Sequence, residues 1–438
     1  MSQISWPFLQ GDMPTITRAD GLYLYNDREQ EILDAAGGAI VANVGWGRAR
    51  VADAMATAAK DLSYVVPPWI TPSREALVEE LKQHWLPPSL TRIQCSSGGT
   101  EANETALKIA LQYQQAIGET RRTTIIGRTI GYHGTSLATA SISGHPGRKK
   151  GLEAALPFFP ATRTPYPLRC PLGPHHPDAG KFYIDVLQDV IESEGADTIA
   201  AILAEPITGS SGGALVPPDD YWPAVREICD QHGILLIMDE VMTGFGRTGT
   251  PFGYQHWPIE PDILVGGKGL AGGYAPLGGV FGTEKIGQAL SDAGYQVMFN
   301  TFGAHPASCA AAVEVLSILR EENLVAQATA RGEYLERRLE EAFGQHPQVA
   351  EARGRGLLRA IEIVIDRESL ERFEVSAAIS GRVVGEGLKR GVFFYGGGTG
   401  DVRDIVCMGP AFTISEAQID FMVETLLASV DAVIAKAL

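Results

Sequence analysis

Between about residues 50 and 310 the chain alternates short apolar runs with longer amphipathic stretches. Thr123-Thr-Ile-Ile-Gly, Ile199-Ala-Ala-Ile-Leu-Ala, Ile234-Leu-Leu-Ile-Met and Ile263-Leu-Val are too short for buried helices. They predict strands covered on both faces, as in a mostly parallel sheet. Glu101 to Gln115 and Tyr221 to His232 predict helices between them. Alternating strands and helices predict an α/β domain. Before residue 50 the pattern is different. Gly21-Leu-Tyr-Leu-Tyr alternates, Asn26-Asp27 turns, and a second short strand follows near Glu31-Ile-Leu-Asp. An Ala-rich stretch after Pro306 predicts a connecting helix through Leu319, and 325–438 read as a smaller α+β lobe. The expected division is 1–50, 51–310 and 311–438, the first and last parts forming the smaller domain. Pro157 to Pro177 is the longest predicted loop.

Composition narrows the class. The chain has 438 residues, enough for a large core. Its formal net charge of −16 argues against nucleic acid or an anionic membrane as the main partner. Five cysteines with no CxxC argue against a disulfide framework or a zinc site and predict a reducing cytoplasm. Met1-Ser-Gln-Ile-Ser-Trp-Pro has no basic region followed by an apolar run, so no signal peptide is expected. No run of about 18 apolar residues predicts a transmembrane helix.

Two charges end apolar runs. Asp239 closes Ile234-Leu-Leu-Ile-Met-Asp, and Lys268 follows Asp262-Ile-Leu-Val-Gly-Gly, 29 positions later (268 − 239). A Lys at one strand tip beside a carboxylate at another is what pyridoxal phosphate chemistry needs. The amine forms a Schiff base with the aldehyde, and the carboxylate keeps the pyridine nitrogen protonated. A carboxylate often ends a strand before a turn, so Asp239 has an ordinary reading too. Ser96-Ser-Gly-Gly-Thr opens the Glu101 helix, and its start offers N–H groups to a phosphate, with Gly99 and Thr100 as contacts. The plainer reading is an ordinary capped helix. Gly131-Tyr-His-Gly places an aromatic that could stack on a flat cofactor, or simply a buried Tyr with an exposed His. Glu205-Pro-Ile follows a strand, where a carboxylate could face the site or end a structural turn. Gly244-Phe-Gly-Arg-Thr-Gly fits a dinucleotide fingerprint, but Thr250-Pro-Phe-Gly-Tyr begins no helix, which leaves a loop beside the site. His175, His176 and Cys170 sit in the Pro-rich loop and predict a solvated segment, not a metal site.

Taken together, Ser97-Gly-Gly-Thr-Glu-Ala-Asn, Gly131-Tyr-His-Gly, Glu205-Pro-Ile, Asp239-Glu-Val-Met-Thr-Gly-Phe-Gly-Arg-Thr-Gly, Gly267-Lys-Gly-Leu-Ala-Gly-Gly-Tyr and Thr301-Phe-Gly-Ala-His-Pro resemble the class III, or omega-type, aminotransferases of the pyridoxal phosphate fold type I superfamily. The resemblance covers nearly the whole chain. It implies a large, mostly parallel seven-stranded sheet domain with a smaller α+β lobe built from both termini. It implies pyridoxal 5'-phosphate as cofactor, held at its phosphate by Gly99 and Thr100. Tyr132 would stack on the ring with His133 nearby, Glu205 would lie close to ring and substrate, and Val241 would pack on the opposite face. Asp239 would pair with the ring nitrogen, and Lys268 would carry the cofactor and shuttle the proton. Thr301 would reach the phosphate of a neighbouring subunit, which implies a homodimer with shared sites.

The implied reaction moves an amino group from an amine or omega-amino acid to a keto acid, pyruvate or 2-oxoglutarate, by a ping-pong mechanism. Ornithine- and aminobutyrate-type relatives carry an Arg just before the C-terminal Pro, whereas this chain has Cys407-Met-Gly-Pro. Arg403 is the expected mobile substitute for a substrate carboxylate, and Trp69 matches an aromatic over the substrate pocket. Both favour amine or omega-amino acid donors. The alternative outcome on this scaffold is a lyase, such as a phospho-lyase eliminating phosphate from a phosphorylated amino alcohol or amino acid. A non-catalytic binding protein is a further rival, opposed by the intact Lys268 and Asp239.

Overall fold

The computed structural model describes residues 14–297 and 299–437. The segment read above for a targeting signal, Met1 to Pro7, lies outside the described residues. Near the start, β1 (Ile16–Asp20), β2 (Tyr23–Asn26) and β3 (Glu31–Asp34) form an antiparallel meander.

The main sheet has seven strands. They are β4 (Leu90–Ser96), β5 (Thr124–Arg128), β6 (Ala161–Thr162), β7 (Ile199–Ala204), β8 (Leu235–Asp239), β9 (Ile263–Gly266) and β10 (Gly278–Thr283). Their spatial order is β4-β10-β9-β8-β7-β5-β6. From β9 across to β6 neighbouring strands are parallel, and β10 runs against both β9 and β4. Every residue of β7, β8 and β9 is buried, which is why their sequences read as unbroken apolar runs. The helix Gly99–Ala116 buries Ala102, Ala106, Ile109, Ala110 and Tyr113 against Ile125, Leu203, Ile237 and Val265. The helix Tyr221–His232 has the bounds the sequence predicts and ends at Gly233, whose φ of 68° is left-handed.

The predicted connecting helix spans Pro306–Glu321 and packs on the helices Ala49–Asp61 and Pro72–Glu80. Beyond it, β11 (Val349–Arg355), β12 (Leu358–Ile363), β14 (Tyr395–Thr399) and β15 (Val402–Met408) form an antiparallel sheet, in the order β11-β12-β15-β14. The short β13 (Val392–Phe393) leaves that group and pairs in parallel with β3, so both ends of the chain share one sheet.

The structure departs from the sequence expectations in two places. The Pro157–Pro177 segment is not all loop, because Ala161 and Thr162 add an edge strand to the main sheet. Prolines flank that strand without entering it, and an edge position tolerates this. β4 and β10 carry polar residues and glycines that hide them from a search for apolar runs.

The Gly244–Gly249 loop starts no α-helix. Instead it delivers Arg247 into the interior, where the guanidinium donates to the carbonyls of Ala42 and, at 2.6 Å, Pro410. It also lies 4.8 Å from the centre of the Phe412 ring. Burial pushes its pKa down to about 9.

Candidate active site

β5, β7, β8 and β9 end side by side, and the chain leaving each delivers a polar group. In open parallel sheets, ligands bind beyond the carboxyl ends of the strands. β7 leads directly into Glu205, β8 ends on Asp239, and β9 leads through Gly267 to Lys268. Asp239 pairs in register with Val265, so the carboxylate and the lysine leave adjacent strands. β5 leads to Tyr132 and His133, and β4 leads into the helix that starts at Gly99.

These residues line one cavity of about 310 Å3. That volume lies near the lower end of small-molecule sites, about 300–1,000 Å3. Gly99, Thr100, Tyr132, His133, Glu205, Asp239, Val241 and Lys268 all border it. Three predicted residues do not. Thr301 is exposed, Trp69 is 66% exposed, and Arg403 donates to the Phe373 carbonyl through Nε at 3.2 Å and Nη2 at 2.8 Å. Tyr132 is half-buried and His133 is buried, so the simple reading of an exposed histidine is corrected. The histidine is drawn inward by Asp239.

Asp239 is tightly held. Its Oδ2 lies 2.7 Å from His133 Nδ1 and accepts from Asn103 Nδ2 at 2.8 Å, while Oδ1 accepts the Val241 N–H at 3.0 Å. Asn103 was not singled out from the sequence. Its signal is its spacing, one helical turn after Gly99 on the same face. Asn103 Oδ1 is buried without a partner. Ser97, Ser210 and Met242 also border the cavity and carry no sequence signal of their own. Glu205 accepts the Tyr132 N–H at 3.2 Å and the Gly209 N–H at 2.9 Å. Burial raises its pKa despite these bonds and the nearby His133.

Lys268 is the centre of the site. Burial lowers its pKa, and the negative charges of Asp239 and Glu205 only partly offset this. A buried amine with a lowered pKa has more of the neutral, nucleophilic form at neutral pH. Its backbone φ is +40°, a left-handed conformation that costs a side-chain-bearing residue roughly 1–2 kcal/mol. The flanking Gly267 and Gly269 let the chain pass close to its neighbours. A Cβ at Gly269 would stand 3.2 Å from Asn43 Nδ2 and 3.3 Å from Phe245 Cβ.

The cavity suits pyridoxal phosphate. The helix at Gly99 begins with Gly98 as its cap, so its first-turn N–H groups have no acceptors within the helix and face an anion well. Glu101 turns back to accept the Ser97 N–H at 2.8 Å, leaving the next amides free for a phosphate. A Cβ at Gly99 would stand 2.9 Å from Val241 Cγ1, so no larger residue fits there. A buried carboxylate and a half-buried lysine on adjacent strand ends complete the donor set.

Known proteins agree with this geometry. The class-III aminotransferase family model matches residues 10–430. A putrescine–pyruvate aminotransferase of Pseudomonas aeruginosa is 33% identical over 416 residues, 93% of this chain and 88% of that protein. An (S)-enantioselective omega-transaminase from Thermomicrobium roseum superposes with a TM-score of 0.93 at 34% identity, covering 99% of this chain and 97% of the other. A PLP-bound amine transaminase from an uncultivated Pseudomonas species gives 0.91 at 32% identity, covering 100% of this chain and 99% of the other. Lys268 and the buried Asp239 at neighbouring strand ends, the match along nearly the whole chain and the shared fold lead to one conclusion: this protein belongs to the class-III aminotransferases, pyridoxal phosphate-dependent enzymes that pass an amino group from an amine to a keto acid.

Proposed function

We propose an omega-type specificity for this aminotransferase: it takes an amine or omega-amino acid as donor and pyruvate or 2-oxoglutarate as acceptor, in two half-reactions. The observation that carries this is the cavity that Lys268 and Asp239 both line, together with the absence of an Arg in Cys407-Met-Gly-Pro. The named relative with a diamine donor supports the same donor class. The kinship with aminotransferases disfavours an elimination outcome. Turnover of a panel of amines and omega-amino acids with each keto acid tests the reading. Ammonia and phosphate release from a phosphorylated donor, with no need for a keto acid, would replace it.

Bound pyridoxal phosphate supplies the aldehyde that exchanges amines and the ring that takes up electron density. The chain's residues supply the rest. Gly99 and Thr100 would hold the phosphate through the helix start. Tyr132 and Val241 would hold the ring between them, and Glu205, which lines the same cavity, would face the substrate. Asp239, fixed by His133 and Asn103, presents a carboxylate to the ring nitrogen. Lys268 Nζ would hold the cofactor and would then serve as the base that moves the donor's proton.

The working unit in this reading is a homodimer. Thr301 is exposed on the single chain, as are the apolar Trp69, Ile70 and Phe302, 66%, 70% and 59% exposed, with Phe302 against Tyr64. A second copy would cover these residues and receive Thr301 at its own phosphate site. Trp69 would then face the partner's substrate. Arg403 would reach a substrate carboxylate only by giving up both hydrogen bonds to Phe373. Five cysteines that are all free and buried support a reducing, cytoplasmic setting. The division at about residues 50 and 310 is retained, with β3 and β13 joining the two terminal parts.

A further inference from the structure

The keto acid brings a carboxylate to a cavity that already holds Asp239 and Glu205. Without a nearby cation, that charge meets two buried acids of its own sign. The Arg that serves ornithine- and aminobutyrate-type relatives is missing, and Arg403 is tied to Phe373. Arg128 is buried and donates to the carbonyl of the lining residue Glu205 at 3.1 Å, and a second, exposed guanidinium lies beside the lining residue Tyr132. Arg148 sits on the short helix Pro146–Lys149, its guanidinium carbon 4.8 Å from the centre of the Tyr132 ring, which borders the cavity.

Arg148 is exposed, and among the described residues it makes no ion pair and no side-chain hydrogen bond. The buried Arg247 and Arg353 are engaged: Arg247 holds two carbonyls, and Arg353 holds Glu362 at 2.8 Å. The surroundings of Arg148 come from both lobes. His145 packs edge-on against Tyr132, with ring centres 6.2 Å apart. The turn after β14 leans on the same helix, where a Cβ at Gly400 would stand 3.0 Å from Pro146 Cγ. β14 is itself anchored at the cavity, since the Gly398 N–H donates to the carbonyl of Ser210, a lining residue, at 2.7 Å. The charge of Arg148 acts on Tyr395 of β14, and it adds to burial in lowering the pKa of His145. Arg148 is therefore a free cation held at the junction of the two lobes, beside the ring that frames the substrate.

We propose that Arg148 receives the carboxylate of the keto-acid acceptor. This rests on the aminotransferase reading and adds the residue that selects acids over neutral carbonyl compounds. A planar guanidinium can take a carboxylate in two hydrogen bonds, and a neutral aldehyde offers no matching group.

The test uses the full-length protein loaded with pyridoxamine 5'-phosphate. Oxamate, an unreactive analogue of pyruvate, is titrated calorimetrically, and pyruvate and butanal are compared as acceptors. Arg148→Ala and Arg148→Met should each weaken oxamate binding and raise the KM for pyruvate by about tenfold or more, as loss of a charge-assisted pair implies, while butanal changes less than about twofold. Met keeps an apolar stem over Tyr132, so it separates lost charge from lost packing. Native oxamate binding in the Met variant would overturn the proposal. So would equal losses with pyruvate and butanal, or an effect carried by Arg403→Ala instead. Wild type that uses butanal but not pyruvate would overturn the role of Arg148 and leave the aminotransferase reading standing. No amine transfer to either acceptor would overturn that reading as well.

Discussion

His133 Nδ1 lies 2.7 Å from Asp239 Oδ2, with both side chains almost wholly buried. The same oxygen accepts from Asn103 Nδ2 at 2.8 Å, so two donors fix one carboxylate in place. The other oxygen accepts only a backbone N–H among the described residues. A carboxylate held this way meets a protonated ring nitrogen without having to reorganise.

Asp239→Asn should keep the cofactor bound and slow the amine half-reaction by several orders of magnitude, because a neutral amide cannot hold the ring nitrogen protonated. Single-turnover absorbance changes check this. A large loss of cofactor affinity with a near-native rate at saturating substrate would count against it. Asn103→Ala should show a milder version, on the order of tenfold, since one of the two positioning donors remains.

Lys268→Met should abolish turnover and the borohydride-reducible link to the cofactor. It should also stabilise the cofactor-free protein. The folded pKa of Lys268 lies below its unfolded value, about 10.4. Between those two values the unfolded chain binds more protons, so wild-type stability rises with pH across that window. The advantage of the Met variant should be greatest at neutral pH and shrink as pH approaches about 10. Denaturant melts of the two cofactor-free proteins across pH measure it; a constant or growing gap would contradict the buried amine.

Thr301→Ala should weaken cofactor retention by about 1–3 kcal/mol, the loss of one hydrogen bond to a charged phosphate. Phe302→Asp should break the association of two copies and release cofactor with it. Ultracentrifugation and cofactor release are followed together. A monomer with full cofactor occupancy would disprove a shared site.

Arg247→Ala should destabilise the protein by on the order of 3 kcal/mol, leaving two buried carbonyls unpaired. Thermal melts of the cofactor-free protein report this. A change under about 0.5 kcal/mol would mean that water takes over both carbonyls.

The central strands and the helix Tyr221–His232 were legible because burial on both faces leaves an unambiguous apolar signature. β10 was not. Its Gly278 lies so close to Gly98 that a Cβ would stand 2.7 Å from the Gly98 carbonyl carbon, and the strand trades apolar residues for that approach. Lys268 and Asp239 could be placed because each is a lone charge at the end of an apolar run. Asn103 and Arg148 could not, because their meaning depends on which strand ends and turns stand opposite, and spacing along the chain does not carry that. Trp69 and Thr301 are assigned to the site by the family pattern alone, since a single chain leaves both on its surface.

The carbonyls that Arg247 binds belong to residues 42 and 410, near opposite ends of the chain. During synthesis the second is made 368 residues after the first (410 − 42). Until then the loop beside the lysine strand holds a cation with one of its two anchors missing. A chain made only as far as residue 409 therefore has Lys268 and Asp239 but lacks one of the two carbonyls that hold the Arg247 loop.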